Sequence, residues 1–125
     1  MEEKTAVIVG GTGQIGQYII EVLQKEGYLT ICVSSKPLPD IAKNQSTEYH
    51  IFNMSNPKDI EKCFDKITEK HSSVECLINI IGKNRSGNLN EITEEMWDDV
   101  INTNLKSIFF ICRTFRRVLN QTKKS

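Results

Sequence analysis

Four glycines stand close together near the start of the chain, between a short apolar run and an amphipathic stretch. Glycine lets a backbone turn tightly and approach a ligand closely, and the start of the following helix offers unpaired N–H groups to an anion. This order of strand, glycine turn and helix is typical of dinucleotide-binding units and predicts a pyrophosphate site. The predicted turn consists of Gly10, Gly11, Thr12, Gly13, Gln14, Ile15 and Gly16.

Two glycine registers overlap in this turn. One is Gly11-x-Gly13-x-x-Gly16, and the other starts from Gly10 and has the spacing G-x-x-G-x-x-G. The sequence alone does not rank them.

The end of the second predicted strand carries Ser34, Ser35 and Lys36. An acidic residue about twenty positions after the glycines would bind the 2′-hydroxyl of an adenosine ribose, as in NAD-binding proteins. Here two hydroxyls and an ammonium group could bind a 2′-phosphate instead. The segment therefore favours NADP(H), with NAD as the alternative cofactor. If the segment has no binding role, it is simply a polar turn.

Two asparagines lie in apolar surroundings, where an unpaired amide is costly. Asn79 stands near the end of the fourth predicted strand, and open α/β sheets bind ligands at that end. Asn104 lies on an apolar helical stripe, so it either hydrogen-bonds the backbone of strand 4 or has a functional role. The stripe consists of Trp97, Ile101, Ile108, Cys112, Phe115 and Leu119.

Alternating strand and helix patterns position these residues. Strands are predicted over 5–9, 29–33, 48–52 and 74–81, and helices over 14–25, from the Asn56-Pro57 cap, and from Thr93 to about Asn120. A short helix is expected between Leu38 and Asn44, and a loop over 83–90. Gly27 is expected to end the first helix. The first helix should bury Ile15, Ile19, Val22 and Leu23, and the helix after Asn56 should bury Ile60, Cys63, Phe64 and Ile67.

This order predicts an α/β fold with a doubly wound, Rossmann-like parallel sheet in the strand order 3-2-1-4. With 125 residues, the chain is expected to be a single domain, residues 1–125, that ends before a fifth strand.

Composition excludes several classes of protein. Sixteen basic and sixteen acidic residues cancel, so neither nucleic acid nor a membrane surface is an expected partner. No apolar run is long enough to span a bilayer and no signal peptide is evident, which predicts a soluble cytoplasmic protein. The four cysteines are expected to be buried free thiols, and His50 and His71 have structural or surface roles, so no metal site is predicted.

Taken together, these residues resemble the short-chain dehydrogenase/reductase family. The glycine turn is similar to the family's TGxxxGxG and TGxxGxxG turns, with Val9 in place of Thr. Residues 77–82, LINIIG, resemble the Asn-Asn-Ala-Gly motif. Residues 89–110, LNEITEEMWDDVINTNLKSIFF, resemble the family signature LxExTxExWDxVxxxNLxGxFF.

The resemblance implies an NAD(P)-dependent oxidoreductase that transfers a hydride between a cofactor and a carbonyl or hydroxyl substrate. It implies that Asn53 and Met54 contact the adenine, and that Asn79, Ile80 and Gly82 lie by the cofactor. Asn104 would take the place of the active-site Asn that anchors a water in the proton relay.

The resemblance also implies that part of the catalytic set is missing. The family uses a Ser and a Tyr-x-x-x-Lys pair, but no Tyr of this chain (Tyr18, Tyr28 and Tyr49) has a Lys four positions later. The chain alone is therefore expected to be inactive, with an incomplete nicotinamide pocket. The alternatives are a non-catalytic nucleotide-binding or interaction module, and a product that binds nothing.

An unpaired strand edge and apolar residues beside the stripe, at 109–111, further predict association. The expected partner is a second copy or a chain supplying the remaining half of the fold.

Overall fold

The computed structural model describes residues 3–38, 44 and 46–122. Its strands are β1 (Lys4–Val9), β2 (Tyr28–Ser34), β3 (Thr47–Ile51) and β4 (Cys76–Asn79), and its long helices are α1 (Gln14–Lys25) and α2 (Pro57–Lys70). A 3-10 turn at Leu89–Glu91 precedes α3 (Glu94–Ile101), a π-helical segment (Asn102–Lys106) and α4 (Ser107–Thr122). The helix expected between Leu38 and Asn44 lies outside the described residues.

The four strands form one parallel sheet in the order β3-β2-β1-β4, which confirms the predicted strand order. β1 is central, because its last residue Val9 pairs with Val33 of β2 and with Asn79 of β4. The carboxyl ends of these three strands therefore meet at one edge of the sheet. The segments that follow them are brought together there.

Side chains of the central strands are buried on both faces of the sheet. Val7 and Val9 pack with α2 and α4 on one face, whereas Ala6 and Ile8 pack with Ile20 of α1 on the other. Burial on both faces explains why β1 and β2 are apolar without alternation.

α2 begins as the sequence predicts. The Asn56 side chain accepts a hydrogen bond from the Lys58 N–H at 2.9 Å, and Pro57 occupies the first helical turn, where no N–H partner is needed. The four residues expected to be buried have no exposed surface: Ile60, Cys63, Phe64 and Ile67. At the end of α1, Gly27 adopts φ +88°, so the expected helix stop is also confirmed.

The predicted buried face of α1 is partly wrong. Ile15 is 71% exposed and Val22 41% exposed, whereas Gly16 and Ile20 are buried. Successive helical residues are rotated by about 100°, so a helix cannot bury Gly16 and Ile15 equally. The contact of Gly16 with the glycine turn decides which face is turned inward.

The predicted stripe along the last helix is also partly wrong, although its Phe115 packs against the core. Trp97 is 62% exposed and Ile108 41% exposed, while Ile111, expected to lie off the stripe, is fully buried. The π-helical segment is the physical reason, because its wider turn changes the rotation between α3 and α4. A uniform 3.6-residue period cannot be extended across it. Cys112 is exposed for the same reason.

The other cysteines fit the expectation of free thiols more closely. Cys32 and Cys63 are buried and Cys76 is partly buried. Burial raises the pKa of Cys32 to about 11 and that of Cys63 to about 12, so both are protonated and weakly reactive at neutral pH.

The described part of the chain contains no group of three or more His, Cys, Asp or Glu side chains that could hold a metal ion. Nor does any helix within it have the length and apolar character needed to cross a membrane.

A carboxylate joins β3 to the end of α2. Glu48 accepts hydrogen bonds from Lys70 at 2.5 Å and lies 2.7 Å from His50 Nε2 and 3.3 Å from His71 Nε2. Partial burial raises the pKa of Glu48, but the hydrogen bonds from Lys70, His50 and His71 outweigh it and lower this pKa to about 2. The histidines thus have the structural role expected of them.

We predict that Glu48→Gln lowers the free energy of unfolding at pH 7 by about 1 kcal/mol, a small value because Lys70 is exposed. The pKa of Glu48 is lower in the folded chain than its unfolded value of 4.5, so the ionised carboxylate stabilises the fold above pH 4.5. This contribution is lost as the pH falls toward 2. Urea unfolding between pH 7 and pH 2 measures it. Glu69→Gln on the exposed side of α2 is the control, and equal effects of the two substitutions would contradict the prediction.

Candidate functional site

A cleft of about 210 Å³ lies at the carboxyl ends of β1, β2 and β4. Its walls come from four segments: the turn after β1, residues 34–36 at the end of β2, Met54 after β3, and residues 80–82 after β4. The structure brings together eight residues that the sequence singled out: Gly10, Thr12, Ser34, Ser35, Lys36, Met54, Ile80 and Gly82. Sequence reasoning missed Val9, Val33 and Ile81, which also line the cleft and directly adjoin the residues it identified.

Gly10 requires the absence of a side chain for two reasons. Its φ of +86° is one that L side chains rarely adopt, and a Cβ would lie 3.0 Å from Ile81 N. Its N–H donates to Val33 O at 2.8 Å, which continues the β1–β2 pairing into the turn. The turn is therefore held between β2 and the segment after β4.

The remaining turn glycines differ in their surroundings. A Cβ on Gly16 would lie 2.4 Å from Gly11 Cα, and one on Gly11 would lie 2.8 Å from Cys32 Sγ. A Cβ on Gly13 would meet no atom within 4 Å. Gly10, Gly11 and Gly16 are thus required by the fold itself, and both proposed glycine registers contain residues of structural importance.

The space at Gly13 lies at the start of α1. Gly13 is the N-cap, no side chain in residues 3–38, 44 and 46–122 accepts a hydrogen bond from the first N–H groups of the helix, and the first turn has no acidic residue. An uncapped helix start with a positive dipole end is suited to a pyrophosphate. Gln14 and Ile15, the first helical residues, are both exposed at this point, outside the cleft wall.

The segment after β2 forms a compact turn. Ser34 Oγ accepts from the Lys36 N–H at 3.2 Å and donates to Lys36 O at 3.0 Å, and it lies 3.4 Å from Thr12 Oγ1. Ser35 and Lys36 are exposed, and the Lys36 ammonium has no ion-pair partner among the described residues. Two hydroxyls and an unpaired cation therefore border this end of the cleft.

Two of the predicted residues act on the backbone. Asn79 Oδ1 accepts from the Ile81 N–H at 3.3 Å, so its side chain takes over hydrogen bonding where β4 ends, two residues earlier than expected. Asn53 Oδ1 accepts from the Ser55 N–H at 3.1 Å in the turn before α2. Neither residue lines the cleft, but each shapes a segment that does.

Asn104 lies in the π-helical segment and binds the backbone of one residue. Its Oδ1 accepts from the Lys83 N–H and its Nδ2 donates to Lys83 O, both at 2.7 Å. These two bonds satisfy the amide, as the structural interpretation expected, although the contact falls just beyond the end of β4. The Oδ1 atom also lies 3.7 Å from where a Gly82 Cβ would be, which places Asn104 beside the cleft wall.

The parallel sheet in the order β3-β2-β1-β4, with a glycine turn between β1 and α1, is that of a Rossmann-like α/β protein. The family model described as "short chain dehydrogenase" matches residues 4–125. The chain belongs to the short-chain dehydrogenase family.

Curated relatives support this assignment. The chain is similar to the 3-oxoacyl-(acyl-carrier-protein) reductase FabG of Vibrio cholerae, with 30% identity over 126 residues that cover 94% of this chain and 50% of the relative. The corresponding enzyme of Thermotoga maritima is 28% identical over a match that covers 87% of this chain and 47% of that enzyme. The chain therefore spans about half the length of the curated relatives it matches.

Solved structures show the same fold. The aldohexose dehydrogenase of Thermoplasma acidophilum superposes with a TM-score of 0.84 at 19% identity, over 94% of this chain and 45% of that protein. A short-chain dehydrogenase of Leptospira borgpetersenii with bound NAD+ superposes with a TM-score of 0.82 at 24% identity, over 94% of this chain and 46% of that protein.

We predict that Gly16→Ala destabilises the chain by roughly 2 kcal/mol or more, because the added Cβ would overlap backbone atoms of Gly11 that cannot move away as a flexible side chain could. Urea unfolding gives the value. Gly13→Ala is the matched variant: it should leave stability within about 0.5 kcal/mol, because no atom lies near the added carbon. A stable Gly16→Ala variant would show that α1 does not lie against the turn.

Proposed function

We propose that this chain binds NADP(H) as the cofactor-binding part of a short-chain dehydrogenase, with NAD as the alternative cofactor. One observation carries the proposal: a glycine turn and the start of α1 face a cleft whose β2 side holds hydroxyls and the Lys36 ammonium, which has no ion-pair partner in the described part of the chain. Among the described residues, none of those that line this cleft has a carboxylate side chain. A dianionic 2′-phosphate therefore meets no repelling charge from this part of the cleft wall.

Each part of the cofactor has proposed binding residues. The pyrophosphate is assigned to the turn of residues 10–16, where Gly13 leaves space and the N–H groups of α1 are available. The 2′-phosphate is assigned to Ser34, Ser35 and Lys36. Asn53 and Met54 border the adenine, and Asn79, Ile80 and Gly82 the nicotinamide side, by resemblance to the family's motifs.

Bound NADPH would supply a hydride to a carbonyl substrate, and bound NADP+ would accept one from a hydroxyl substrate. This chain's contribution is to bind and orient the cofactor, and Asn104 occupies the position of the family's relay residue while its side chain holds Lys83. The family's Ser and Tyr-x-x-x-Lys have no counterpart in these 125 residues. We therefore propose that residues 1–125 are a single NAD(P)-binding domain, incomplete at its C-terminal end, that does not transfer hydride alone.

The second candidate function is a non-catalytic nucleotide-binding or interaction module. It is favoured by the exposed apolar residues of the π segment and α4, namely Leu105, Ile108 and Phe109, which are between 41% and 64% exposed. Such a surface is typical of association. Both candidates bind the cofactor, but only the first regains hydride transfer when the remaining half of a family member is added.

We predict that NADPH raises the melting temperature more than NADH does, and that Lys36→Ala weakens NADPH binding about tenfold because a phosphate-paired ammonium is worth roughly 1.4 kcal/mol or more. NADH binding should change less than twofold. Thermal shift titration, or titration of Trp97 fluorescence, measures both. Lys62→Ala on the exposed side of α2 removes the same charge away from the cleft and is the control.

Two results would contradict the cofactor proposal. No response of the wild-type chain to either cofactor would show that the cleft binds neither. An equal loss of NADPH and NADH affinity in Lys36→Ala would show that Lys36 does not bind a 2′-phosphate.

For the partner, we propose self-association or pairing with a chain that supplies the remaining half of the fold. Light scattering should then give a mass above the 14.3 kDa of one chain, and Phe109→Ser should reduce it because Phe109 is 61% exposed on α4. Ile51→Ser on the opposite edge strand, 58% exposed, is the control. A monodisperse species of 14.3 kDa in the absence of a second chain would count against self-association.

A further inference from the structure

One carboxylate of α3 holds the loop of residues 83–88. This loop follows directly on the cleft wall at the end of β4. Asp99 accepts hydrogen bonds from Lys83 Nζ at 3.1 and 3.3 Å and from Arg85 Nη2 at 3.3 Å. The side chain of Asp99 is 29% exposed, whereas those of Lys83 and Arg85 are each 52% exposed. Two cations two residues apart in the loop are therefore held by a single anion on the helix.

The charge of Asp99 has a specific consequence for this loop. The hydrogen bond from Lys83, and next the one from Arg85, lower the pKa of Asp99, so it is ionised at neutral pH. Without that charge, Lys83 and Arg85 would be two like charges within a few ångströms of each other, and their repulsion would favour moving the loop away from α3. An isolated exposed ion pair contributes little to global stability. The expected effect is therefore local.

A second anchor lies five residues further along the same helical run, at Asn104. Asn104 binds the backbone N–H and C=O of Lys83, the residue whose side chain Asp99 holds. Lys83 is thus fixed at its backbone by one residue and at its side chain by another. The direction in which the chain leaves β4 is set by this pair of contacts.

Residue 83 directly follows the β4 wall of the cleft. Gly82 lines the cleft and is bonded directly to Lys83, so a shift of Lys83 changes the backbone torsions of Gly82 or displaces it. Ile80 and Ile81, which also line the cleft, contact the position where a Gly10 Cβ would be. A displacement of the loop would therefore reach the wall beside the glycine turn.

We propose that Asp99 is a positioning residue: by holding Lys83 and Arg85 together, it keeps residues 80–82 in the place that cofactor binding requires. The part of this inference that concerns cofactor affinity rests on the proposed NADP(H) binding. The part that concerns the loop stands on the contacts alone.

The neighbouring Asp98 provides a matched control. It is exposed on the same helix, and its carboxylate has no hydrogen-bond or ion-pair partner among the described residues. Asp98→Asn and Asp99→Asn therefore remove the same charge at adjacent positions, but only the second separates the loop from α3. Asp99→Glu restores the charge on a side chain one methylene longer.

The experiment measures amide hydrogen exchange at Lys83 of the full chain, whose N–H donates to Asn104 Oδ1, with the β1 amides as an internal reference for global unfolding. We expect Asp99→Asn to accelerate exchange at Lys83 about fivefold, with β1 unchanged, and Asp99→Glu to restore most of the protection. The dissociation constant for NADPH should rise three- to tenfold in Asp99→Asn. Asp98→Asn should resemble the wild type in both measurements.

Equal exchange at Lys83 in the two Asn variants would overturn the inference. So would faster exchange in Asp99→Asn with unchanged NADPH affinity, because the loop would then not position the cleft wall. A wild-type chain that does not bind NADPH would instead refute the proposed function and the affinity part of the inference, while the exchange comparison would still decide whether Asp99 holds the loop.

Discussion

The close contact between Gly16 and Gly11 is the constraint on which the site depends. With a Cβ at position 16 only 2.4 Å from Gly11 Cα, helix α1 can lie directly against the turn only because Gly16 lacks a side chain. This contact places the uncapped start of α1 at the carboxyl edge of the sheet. It also decides the rotation of α1, so Ile20 is buried and Ile15 is exposed. The geometry of the cleft and the exposed surface of α1 thus have one cause.

The other wall of the cleft depends on polar contacts instead of close packing. β4 stops pairing at Asn79, and from there the side chains of Asn79 and Asn104 hydrogen-bond the backbone of residues 81 and 83. Asn104 reaches Lys83 from the π-helical segment that joins α3 and α4. That segment therefore has two effects: it brings an amide to the end of β4, and it changes which face of α4 packs on α2.

Much of the fold could be predicted from local pattern, and some of the site as well. The strands, the Asn56-Pro57 start of α2 and the order 3-2-1-4 follow from apolar runs, caps and connection rules that act over a few residues. Eight of the residues chosen for cofactor contact line one cleft, because the ends of parallel strands must meet. The exposed position of Trp97 and the burial of Ile111 could not be predicted, because a π-helical turn has no clear signal in an apolar period.

By itself, the sequence determined the family, the sheet order and the location of the glycine turn, because each follows from residues that are near neighbours along the chain. Only the tertiary structure decided which glycines are required by packing and which one leaves space, since that depends on Cys32 and on the end of β4. It likewise decided that Asp99 meets Lys83 and Arg85, and that Glu48 meets His71. These contacts join residues 14 to 23 positions apart, and no periodic pattern encodes them.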